Sequence, residues 1–123
     1  MRDSFILLAG SLLAAAGVML GAFGAHALRA RVSEQMLATW ETAVFYHLVH
    51  AVALVALAAF AARLGAVAGS IAWLFLVGVL LFSGSLYALV LSGLRPLGMI
   101  TPVGGVALIA AWLWLAFAAW KLH

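Results

Sequence analysis

Cysteine is absent from the 123 residues, which excludes disulfides, thiolate metal sites and thiol nucleophiles. Charge is nearly as scarce. Lys, Arg, Asp and Glu make up 7% of the chain, where a soluble domain carries about 25%. Between Arg63 and Arg95 there is no charged residue at all. Polar stretches long enough for a soluble domain, about 50 residues at the least, are also missing. What remains is 69% hydrophobic, a composition suited to lipid rather than water. The net charge of +3 reflects how few ionisable groups there are, and Arg29 and Arg31 alone make no basic patch. The bilayer is therefore the expected partner, and nucleic acid is not.

A spanning helix needs about 20 apolar residues. Residues 5–25, 43–62, 70–92 and 102–120 each meet that length, so the fold class expected is all-α: a polytopic bundle of four transmembrane helices forming a single domain over residues 1–123. The first run, between Arg2 and Ala25-His26-Ala27, imitates a secretory signal. It is longer than a typical signal core and three more spans follow, so it reads as a retained helix.

Chain punctuation supports the same division. Gly65 and Gly69 break the chain between the second and third spans, and Gly93, Arg95-Pro96 and Gly98 between the third and fourth. Thr101 followed by Pro102 is a helix-start signature, in which the hydroxyl can accept from an orphan N–H. Ser33 can cap a short amphipathic segment, residues 33–42, in which Met36, Leu37, Trp40 and Val44 recur at helical spacing. That segment reads as a turn or two at the interface leading into the second span, with a plain extension of that span preferred over a separate surface helix. Trp40, Trp73 and Trp120 lie near helix ends, where an indole favours the headgroup region, while Trp112 and Trp114 lie deeper.

Four crossings place both termini on one face. Positive charges do not orient them: Arg2, Arg63 and Lys121 oppose Arg29, Arg31 and Arg95. The amino group beside Arg2 tips the reading towards a cytoplasmic location for both termini.

Lipid offers helices little hydrophobic drive to associate, so small residues and interhelical hydrogen bonds must hold them. Gly17 and Gly21 form a GxxxG continued by Ala25, with Gly10 and Ala14 above, and Gly104, Ala107 and Ala111 give the fourth span a narrow edge. Packing within one chain is the preferred reading of these edges over a dimerisation face. Ser83, Gly84, Ser85 and Tyr87 make a polar cluster in the third span. The serines can bond back to their own helix, with a patch against Tyr46 or His50 as the alternative.

Ionisable groups at depth are costly and mark pairing or function. His26, Glu41, His47 and His50 are the candidates, and His50 lies deepest. A metal would need a third or fourth ligand beside His47 and His50, and haem would need two axial ligands flanking a cavity. Neither is expected, and no cofactor is assigned. No nucleophile elbow, zinc-protease motif or phosphate loop is present, so no catalytic residue is assigned either.

Four segments, in order, are Gly21-Ala22-Phe23-Gly24-Ala25-His26, then Thr42-Ala43-Val44 with Tyr46 and His50, then Leu81-Phe82-Ser83-Gly84-Ser85-Leu86-Tyr87, then Ile100-Thr101-Pro102-Val103-Gly104-Gly105. Together they resemble the family named domain of unknown function 423, the YgdD-like small inner-membrane proteins with a mitochondrial relative in animals. The resemblance covers nearly the whole chain. It implies a four-span protein of the bacterial inner membrane with no established activity, and it makes His26, Tyr46, His50, Ser83, Ser85, Tyr87, Thr101 and Pro102 motif positions. His47 departs from the family pattern, where Gln is usual.

Three functions follow as expectations. The first is a non-enzymatic accessory, assembly or scaffold component, alone or within a homo-oligomer or larger membrane complex. The second is a small-molecule or ion site, for a proton, metal, lipid or quinone, built from His26, Tyr46, His50, Ser85 and Tyr87, with Ser83 and Thr101 beside them. The third is an oligomeric transporter or channel.

Overall fold

The computed structural model describes residues 2–123; Met1, whose amino group weighs in the orientation reading, lies outside them. Four long helices form: α1 (Arg2–Phe23), α2 (Glu34–Leu64), α3 (Val67–Ser92) and α4 (Thr101–Trp120). Each is long and apolar enough to cross a membrane. A π-helical turn, Gly24–Leu28, extends α1, and a 3₁₀ turn, Arg95–Met99, precedes α4.

The turns are built by the expected residues. Ser33 Oγ accepts from Met36 N at 3.1 Å, so it caps α2. The amphipathic residues after it run unbroken into the span, as one 31-residue helix rather than a separate surface piece. Gly65 (φ 72°) ends α2 and Gly93 (φ 74°) ends α3, both in backbone conformations that only glycine adopts freely. Thr101 does not cap α4: Ile100 holds that position without a side-chain bond, and the Thr101 hydroxyl is used elsewhere.

Helices sequential in the chain pack as antiparallel neighbours, α1 on α2, α2 on α3 and α3 on α4. Along α1 and its π-helical extension, Ile6, Gly10, Gly17 and Gly24 are buried or partly buried, and the three glycines recur every seven residues. They meet a matching repeat on α2: Gly10 faces Leu54, Gly17 faces His47 and Leu48, and Gly24 faces Trp40. A seven-residue repeat on both partners is the seam of a left-handed helix pair. The narrow edge thus serves packing within the chain, but through this spacing rather than through GxxxG alone.

The α3–α4 seam is tighter still. A Cβ on Gly78 would lie 2.6 Å from Leu108 Cδ2, and one on Gly104 would run into the backbone of Leu81 and Phe82. Phe75, on α3, and Ala111, on α4, are fully buried in the same core. α4 buries only Gly104, Leu108 and Ala111, so most of its surface faces outward. That geometry leaves a long groove between α2 and α4.

Candidate functional site

Alternating crossings bring together the end of α1, the start of α2, the end of α3 and the start of α4, where most motif residues sit. Trp40 is the centre of this end. Only 1% exposed, it packs on Tyr87 with ring centroids 4.7 Å apart and on Phe23 at 5.7 Å. Near its helix end, it is enclosed by protein, because Gly24 leaves a slot in which any side chain would strike the indole. Trp40 Nε1 donates to the Leu20 carbonyl at 2.9 Å. That carbonyl lies just before the π-helical turn, and a donor inserted at a helix carbonyl is a recognised cause of a widened ladder. Trp73 and Trp120, by contrast, are exposed near the ends of their helices.

Two turns further along α2, His47 ties three helices. It is 4% exposed, with Nε2 2.7 Å from the Leu13 carbonyl of α1 and Nδ1 2.8 Å from the Tyr87 hydroxyl of α3. A carbonyl only accepts, so Nε2 carries the proton and the neutral ring accepts from Tyr87 at Nδ1. His50 shows the opposite arrangement. Its Nδ1 lies 2.6 Å from the Tyr46 carbonyl, and its Nε2 accepts from Trp112 Nε1, a pure donor, at 3.0 Å. The proton therefore sits on Nδ1, and the bond to Trp112 links α2 to α4.

The serines also reach across helices. Ser83 Oγ donates to the Ala43 carbonyl of α2 at 2.7 Å, not to its own helix and not to Tyr46 or His50. Ser85 Oγ lies 2.6 Å from Thr101 Oγ1 and 2.9 Å from the Phe82 carbonyl, to which it donates. With its proton used there, Ser85 accepts from Thr101.

The remaining motif residues are not drawn into one site. His26 is exposed on the π-helical turn, away from His47 and His50, and has no hydrogen-bond partner among the described residues. Tyr46 is 40% exposed; its ring lies 4.6 Å from Phe82 and stacks towards His50 at 6.2 Å. Tyr46 and His50 line a cavity of about 530 Å³ with Phe82, Leu108 and Trp112, while Tyr87 and Ser85 face other partners. Among the described residues no group of three or more His, Asp or Glu is placed to hold a metal ion. No buried side-chain nitrogen or oxygen among them lacks a partner. Sequence reasoning gave His47 less weight than His50 and assigned Trp112 nothing beyond depth; the only signal for the latter was an indole N–H in mid-span, which must find an acceptor there.

Comparison with known proteins places this arrangement. A UPF0382 membrane protein of Bacillus subtilis, YwdK, is 44% identical over 120 residues, covering 95% of this chain and 96% of that one. The UPF0382 membrane protein SAB0533 of Staphylococcus aureus is 41% identical over 117 residues, and SH2409 of Staphylococcus haemolyticus 40%, each covering 95% of both chains. No solved structure matches. The family model described as protein of unknown function, DUF423, matches residues 20–105, which include all the cross-helix bonds made by Ser83, Ser85 and Trp40. The chain is an integral membrane protein and belongs to the DUF423 family.

Proposed function

We propose that the protein is a non-enzymatic membrane component, acting as an accessory, assembly or scaffold element in the bacterial cytoplasmic membrane with both termini on the cytoplasmic side. One observation carries this reading: the buried polar side chains are engaged with one another or with neighbouring helix carbonyls. A catalytic or ion-binding group needs a free lone pair or proton aimed at its substrate. Both buried histidines have each ring nitrogen occupied, and His26 stands apart from them. The activity then resides on the outer surfaces, above all on α4, which buries so little of itself against its own chain.

The test is purification of the full chain under mild conditions from its native membrane, with intact-assembly mass spectrometry. This reading expects recovery with defined protein partners or as a defined homo-oligomer. A lone chain carrying a stoichiometric metal or redox cofactor would contradict it. Tags at the two ends, reported by a cytoplasm-only and an exterior-only label, should both register as cytoplasmic.

A further inference from the structure

The groove between α2 and α4 stands on a separate observation from the polar interior. Its half nearer the termini is a cavity of about 450 Å³, walled by Ala53, Ala56 and Phe60 of α2 and by Trp112 and Ala119 of α4, with Arg63 at its mouth. The ten steps from Ala53 to Arg63 rise about 15 Å at 1.5 Å each. That is half of the roughly 30 Å hydrocarbon core, the depth of one leaflet. Trp112, fixed by its bond to His50, closes the inner end.

Charge defines what enters. Arg63 is exposed and has no ion-pair or hydrogen-bond partner among the described residues. Lys121 lies at the same end of α4, its ammonium 5.4 Å from the Phe117 ring centre. Of the three acids in the chain, Glu34 and Glu41 belong to the opposite face, and Asp3 lines a different cavity with Leu7 and Val55. Arg63 therefore sets a cation at the mouth, with His123 also in the lining, over an apolar slot of single-leaflet depth. Arginine is well suited to phosphate, which it can grip with two parallel N–H bonds.

We propose that this groove holds one acyl chain of an anionic phospholipid from the leaflet on the side of the termini, with the lipid phosphate on Arg63. Alanine at positions 53, 56 and 119 leaves the space the chain occupies, and a zwitterionic headgroup would bring its own cation against Arg63, which an anionic headgroup does not.

The test uses the full chain in mild detergent with equal mole fractions of dioleoyl phosphatidylglycerol and dioleoyl phosphatidylcholine, counting retained lipids by native mass spectrometry. One phosphatidylglycerol per chain is expected, retained at least fivefold over phosphatidylcholine. Arg63→Gln, at an exposed position, should remove that preference, whereas Arg95→Gln on the far face should leave it unchanged. Ala56→Phe and Ala119→Phe fill the slot from opposite walls and should each lower retention of both lipids at least fivefold, at unchanged helix content. Equal retention of the two lipids by the unaltered protein would overturn the proposal. So would retention by both slot-filling variants at the unaltered level, or an Arg95→Gln effect as large as that of Arg63→Gln, which would reduce the preference to surface charge alone.

Discussion

His47 and Tyr87 meet 2.8 Å apart, ring nitrogen to hydroxyl, across the α2–α3 interface, and the far side of the same imidazole bonds to the α1 carbonyl of Leu13. One side chain thus joins three helices where lipid gives them little reason to associate. A glutamine amide has the same two functions, an N–H for Leu13 and a carbonyl oxygen for Tyr87. His47→Gln should therefore cost under about 0.5 kcal/mol, while His47→Leu, which leaves the Tyr87 hydroxyl unpartnered, should cost about 1 to 2 kcal/mol. Equilibrium unfolding in mixed micelles separates the two.

Glycines in the chain differ sharply in what surrounds them, so alanine substitution should sort them. Gly104 faces the Leu81–Phe82 backbone, which has no flexible tip to move aside, and Gly104→Ala should destabilise by about 1 to 3 kcal/mol as α3 and α4 are forced apart. Gly84, inside α3, has nothing within 4 Å of a built Cβ. Gly84→Ala should be neutral or stabilise by up to about 1 kcal/mol through helix propensity. The same unfolding assay reads both, and similar effects at the two sites would contradict the α3–α4 seam.

Ser85 and Thr101 provide a third comparison, since their hydroxyls meet 2.6 Å apart between α3 and α4. A double-mutant cycle with Ser85→Ala and Thr101→Val should show a coupling of about 0.6 kcal/mol, the usual size for a hydrogen bond between membrane helices. Strict additivity would contradict a stabilising bond between Ser85 and Thr101.

Much of the fold was legible because bilayer thickness and charge depletion act on whole segments. The four spans, the Ser33 cap and the stops at Gly65 and Gly93 follow from that and from local backbone chemistry. What could not be read were choices made between helices. Nothing beside Trp40 in the chain signals its burial, which depends on Gly24, sixteen residues away on another helix. Thr101 carried every mark of a cap, yet a hydroxyl facing it from α3 offered a better partner at membrane depth. His47 and His50 are three residues apart on one helix, and nothing local says that one would face α1 and α3 while the other turns to α4. Residues near in sequence and alike in chemistry were parted by a rotation that only packing sets.

Both ring nitrogens of each buried imidazole are taken up by structural bonds, and nitrogen-15 NMR of the histidine side chains in the purified full chain reads this out. His47, identified by loss of its signal in His47→Gln, should be neutral and protonated only at Nε2; His50 should be neutral and protonated only at Nδ1. Neither should move on adding zinc or chelator. A shared tautomer, an imidazolium at neutral pH, or saturation of either signal by one zinc per chain would contradict the account.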